Sequence, residues 1–130
     1  MSNGECSCPS MLSSSKAEID PKALNFAIQE DRRLMILLLL VKSCGYTLNS
    51  GLLKSLLGLV GHHTSCETLH GDHSWLEKHS LVKCENAEFG LIILALSRTG
   101  WDVAMGRQIA PVVRRPYPGE IESWKLGELG

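Results

Sequence analysis

All five histidines of the chain, His62, His63, His70, His73 and His79, fall within eighteen consecutive residues. Cys66, His70 and His73 stand at i, i+4 and i+7, which puts them on one face if the segment is helical. A thiolate and two imidazoles so placed form a transition-metal donor set, with His62, His63 or Cys84 available as a fourth ligand. Cys66 with His70 also has the residue types of a nucleophile and its base. Against both stands packing, because Leu69 and Leu76 share that face. The expectation is therefore a buried, inert Cys66, a half-buried His73 and three surface histidines. No metal site and no cofactor are expected. Imidazoles titrate near neutrality, so acid would make this segment basic.

Other chemistry is sparse. The five cysteines, Cys6, Cys8, Cys44, Cys66 and Cys84, are odd in number and irregular in spacing. Residues 1–18 contain no apolar signal core, so reduced thiols in a cytoplasmic protein are expected. Cys6-x-Cys8 is too close and too isolated to define a site. There is no glycine-rich phosphate loop, no pair of catalytic carboxylates and no zincin motif. No enzyme is expected. Lys and Arg total 13 against 14 Asp and Glu, a formal net charge of -1, whereas nucleic-acid binders are more often basic. The longest apolar run, Leu34 to Val41, is under half the ~20 residues a membrane span requires, so no membrane partner is expected.

The elements that must carry these residues follow from period and punctuation. Residues 1–18 read as a Ser-rich disordered leader, residues 19–108 as the folded domain and residues 109–130 as an extended tail broken by Pro111, Pro116 and Pro118. Asp20-Pro21 caps a first helix running to Ser43, with the charged stretch Gln29 to Arg33 as a break or exposed turn. From Leu34 to Val41 this helix is apolar all round and so must be covered on every side. A second copy of the chain is one candidate cover, which predicts a homodimer through Leu34, Leu38, Val41 and Trp101. Gly45 suits a left-handed cap. A second helix starts at Asn49 or Ser50 and stops at Gly61. A third starts at Thr64 or Ser65, where Thr64 to Glu67 fits a capping box, and ends near His79. The period then changes. Leu81 to Cys84 reads as a strand, 85–88 as a turn, Phe89 to Leu96 as the return strand, and Ser97 caps a last helix through Arg107. The fold class is mainly α with a β-hairpin wing, a winged helix-turn-helix.

Several segments carry a family likeness. Asp31-Arg32-Arg33-Leu34, Gly45-Tyr46, Trp75-Leu76, Leu81-Val82 and the run Leu96 to Ala104 resemble ArsR-like winged-helix regulators. A closer likeness is to a family of small proteins of Mu-like phages and prophages. Its members are similar in Asp-Arg-Arg-Leu, in Gly-Tyr, in Gly-x-Asp-x-Ala-x-Gly-Arg (Gly100 to Arg107) and in Arg-Pro-x-Pro-Gly (Arg115 to Gly119). The resemblance spans roughly residues 30–119. It implies the fold and a phage origin. The paired helical cysteines of metal-sensing ArsR proteins are absent, so a metal-sensor role is not implied.

In a winged helix the third helix enters the major groove of double-stranded DNA and the wing meets the backbone. Here that helix would offer Thr64, Ser65, Thr68, His70, Ser74 and Lys78, with Lys83 and Arg98 for backbone phosphates. A DNA-binding regulator or DNA-associated accessory factor is the first functional reading. Its weakness is that no Arg or Gln occurs in residues 64–79, while Glu67 and Asp72 do. The alternative is a protein-interaction module in phage assembly built on the same scaffold. The charge of the third helix and wing discriminates the two. Trp75 is expected to anchor the third helix and Trp101 to plug the last. Trp124 is either disordered or the anchor of a partner contact. Arg114-Arg115 would either follow DNA backbone or pair with Glu120 and Glu122.

Overall fold

The computed structural model of the chain describes residues 20–120. The leader, with Cys6 and Cys8, and the end of the tail, with Glu122 and Trp124, lie outside them.

The first helix, α1, runs unbroken from Pro21 to Lys42. Asp20 caps it, its carboxylate accepting from the Lys22 amide at 3.2 Å. The expected break at Gln29–Arg33 does not occur. Gln, Glu and Arg are good helix formers, and Arg32 and Arg33 turn inward, 9% and 5% exposed. Every residue from Leu34 to Leu40 is buried. The chain supplies that cover itself, through α4, α2 and β3 packed around α1. Leu34 and Leu38, expected at a dimer interface, are wholly inaccessible, and Val41 and Trp101 are half-buried. The apolar girth of α1 therefore needs no second copy, and the premise for a homodimer through these residues is gone.

Ser43 ends α1, and a 3-10 turn at Cys44–Tyr46 follows with Gly45 at φ 70° and Tyr46 at φ 60°. This left-handed pair turns the chain into a short strand, β1, Thr47–Asn49. The strand was not expected from the sequence. Asn49 then caps α2, Ser50–Leu59, accepting from the Leu52 amide at 2.8 Å. Ser65 caps α3, Cys66–Lys78. The cap bond runs from the Thr68 amide to Ser65 at 3.1 Å, so the register starts at Ser65 and the Thr64–Glu67 box is not formed.

Strands β2, Val82–Asn86, and β3, Ile92–Leu96, form the expected hairpin. Their turn is longer than expected. Phe89 and Gly90, read as strand, lie in a second 3-10 turn, Glu88–Gly90. β1 pairs with the outer edge of β3, Leu48 opposite Leu94, giving an antiparallel sheet of order β1-β3-β2. Ser97 caps α4, Arg98–Ala104, whose first turn sits on the link between α3 and β2: the Ser97 amide donates to the Leu81 carbonyl at 3.1 Å. Gly100 is needed there, because a Cβ at this position would run into the Leu81 carbonyl oxygen.

Beyond α4 the chain runs in turns and bends back over α1. Ala110 and Val113 are buried, and the Arg114 amide donates to the Glu30 carbonyl at 3.1 Å. The described chain is thus mainly helical with one small three-stranded antiparallel sheet, an arrangement compatible with a winged helix. No described helix is long and apolar enough to cross a membrane.

Candidate functional site

Ser65 at the cap of α3 and Thr68, His70, Ser74 and Lys78 on the helix are all exposed, and Lys83 is exposed on β2; Thr64 is half-buried ahead of the helix. Two of the hydroxyls are already engaged, Ser65 donating to Thr68 Oγ1 at 3.0 Å while it caps the helix. Arg98 is not part of this group. It lines a separate 380 Å3 cleft beside α4 with Tyr46, Trp101, Asp102 and Arg107. Exposed charges on α3 and the hairpin are the carboxylates Glu67, Glu77, Glu85 and Glu88 against the ammonium groups of Lys78 and Lys83. The face is acidic, and its wing tip carries carboxylates.

Between the amino ends of α2 and α3 and the hairpin turn lies a cleft of 540 Å3. Leu69 of α3 and Leu91 and Ile92 of the hairpin give it an apolar lining, and Lys54, Glu67 and His70 add polar groups. The hairpin is fastened to α2: the Ile92 amide donates to Ser50 Oγ at 3.1 Å, and Leu91 rests against Gly51. Phe89 stands at the lip, 93% exposed and at φ 64°. A bulky residue in that backbone region is strained, and such strain concentrates at binding sites.

Cys66, His70 and His73 all line this cleft. Cys66 is exposed rather than buried, within 3.6 Å of Lys54 Nζ. His73 is fully rather than half buried, at 3% exposure. Burial holds its imidazole below the ordinary value, and His70, edge-on at 4.8 Å, adds to this against the opposing pull of Asp72 and Glu77. Cys84 is driven up to about 11 by burial and by Glu77, so its thiol stays protonated and unreactive. Among the described residues no group of three or more His, Cys, Asp or Glu is placed to hold a metal ion.

The charged motif at the middle of α1 proves to be a structural clasp. Arg32 and Arg33 both donate through Nε to Asp72 of α3, Arg33 at 3.2 Å. Arg33 also lies 4.2 Å over the ring of Trp75, which in turn stacks on His79 at 3.9 Å. Trp75 thus anchors α3, as expected. Asp31 points the other way. Its carboxylate takes Arg114 Nε of the tail at 2.6 Å and lies 2.6 Å from His62 Nε2 of the α2–α3 turn. Arg114 completes a two-pronged pair with Glu120, which decides its role in favour of the acidic partner. Burial alone would raise the Asp31 carboxyl, but the hydrogen bonds from His62 and Arg114 outweigh it and hold it below the ordinary carboxylate value.

These features define a small, mainly helical domain with one acidic face beside an apolar-lined cleft and a charged motif that holds its helices together. The chain is 37% identical over 95 residues to the uncharacterized protein gp26 of Escherichia phage Mu, covering 73% of this chain and 97% of that protein. It belongs to that phage protein family. No family model and no solved structure matches it.

Proposed function

We propose that this chain is a non-enzymatic winged-helix module of a Mu-like phage, whose α3–hairpin face binds a protein rather than DNA. The element order, helix, strand, two short helices, hairpin, helix, with sheet order β1-β3-β2, supports the winged-helix assignment. The observation that carries the function is Phe89, 93% exposed at the lip of the apolar cleft between α2, α3 and the hairpin. An exposed aromatic beside an apolar cleft is what a protein partner buries. The carboxylates around it, Glu67, Glu85 and Glu88, oppose phosphate.

A second reading, a DNA-binding regulator, is favoured by Thr68, Ser74, Lys78 and Lys83, exposed together on α3 and β2. Retention of duplex DNA at two salt concentrations separates the two. A protein making 6–10 phosphate contacts loses roughly 10³–10⁵ in affinity between 50 and 200 mM salt. Protein binding predicts no retention at either concentration. Strong retention that collapses at the higher salt would replace our proposal with the DNA reading.

A further inference from the structure

The clasp between α1 and α3 is short of negative charge. Asp72 has two oxygens and both are taken, Oδ2 by Arg32 and Oδ1 by Arg33. Two buried guanidiniums therefore share one carboxylate. The ring of Trp75 takes up part of the charge on Arg33. Arg32 has no such relief. It is 9% exposed, and among the described residues no protein acceptor is hydrogen-bonded to its two terminal nitrogens. A guanidinium that is desolvated and only partly paired is costly.

Arg32 lines a cleft of 480 Å3 along α1, together with Lys22, Asn25, Phe26, Ile28 and Gln29. Lys22, Asn25, Gln29 and Arg32 recur at steps of three, four and three, which is one face of the helix. Both charged side chains in this lining are cations, and the other two polar ones are carboxamides with N–H groups to donate. Phe26 and Ile28 add apolar surface, 43% and 41% exposed. No carboxylate lines the cleft. We propose that it is a carboxylate-binding site. A carboxylate on an apolar stem would accept from the terminal nitrogens of Arg32 and from Lys22, with its stem against Phe26 and Ile28. The cleft shares no residue with the α2–α3–hairpin cleft, so it stands whether or not that face binds protein.

The test is a titration of the full chain, followed by the nitrogen-15 signals of the Asn25 and Gln29 side-chain amides and the Arg32 guanidinium. Sodium acetate, sodium butanoate, sodium phosphate and sodium chloride are added at matched ionic strength. The expected result is saturable shifts with acetate and butanoate only, butanoate binding tighter by about fourfold for each methylene buried. The variant Gln29→Glu places a tethered carboxylate one helical turn before Arg32. It should abolish the titration and raise Tm. Non-saturating shifts with every anion, saturation by phosphate but not by the carboxylates, or a Gln29→Glu chain that titrates normally or melts lower would overturn the proposal.

Discussion

Asp31 and Arg114 are joined by a 2.6 Å hydrogen bond across 83 positions of sequence. One charged pair thereby fastens the tail to the middle of α1, and His62 brings the α2–α3 turn to the same carboxylate. Burial alone would raise the carboxyls of Asp31 and Glu120, yet hydrogen bonds, from His62 and Arg114 to Asp31 and from Arg114 and the Tyr117 amide to Glu120, leave both below the ordinary value. A carboxyl with a lowered folded value contributes stability above its unfolded value and loses it as pH falls through the folded one. The window is thus below about pH 4. Arg114→Met should reduce this acid-dependent loss, giving a flatter stability curve from pH 5 to 2 by denaturant unfolding. An unchanged slope would show that Asp31 and Glu120 draw nothing from Arg114.

The Asp72 clasp makes a larger prediction. Both its guanidinium partners are buried, so Asp72→Asn leaves uncompensated charge and should cost about 3–5 kcal/mol. Urea unfolding measures it. Replacing Arg32, Arg33 and Asp72 together by Met, Met and Leu removes the buried charges and should recover most of that loss. A triple variant less stable than Asp72→Asn would contradict this.

Gly100 makes a prediction about packing. An added methyl meets the Leu81 carbonyl, which already accepts from Ser97, and Leu96 behind it. Gly100→Ala should destabilise the chain by at least about 1–3 kcal/mol, the usual cost of overpacking. Thermal unfolding reads it, and a Tm equal to wild type would show that α4 shifts freely.

Much of the fold was legible in the sequence because period and caps are local. Asp20-Pro21, Asn49, Ser65 and Ser97 each start a helix where their side chains can accept a backbone N–H. What escaped was decided by distant partners. Arg32 and Arg33 look like an exposed interruption until Asp72, about forty residues on, draws them inward. β1 has three residues and exists because β3 offers it an edge. The same distance effect undid the dimer argument, since the cover for Leu34 and Leu38 comes from α2, β3 and α4. At the candidate site, the scarcity of Arg on the third helix was visible. Phe89 was not, because it was read as part of the return strand; the turn instead holds it at φ 64° in solvent. The turn residue Gly90 beside it was the available signal.

The central claim, that the α3–hairpin face meets protein, is tested most directly by photo-crosslinking from its lip. p-Benzoylphenylalanine replaces Phe89, with Ser55, exposed on α2, as the control position. The chain is irradiated in cells producing the phage. The predicted result is one adduct of defined mass from position 89, resistant to nuclease and joined to a phage-encoded polypeptide, and none from position 55. A nuclease-sensitive adduct from position 89, or no adduct there at all, would contradict the claim.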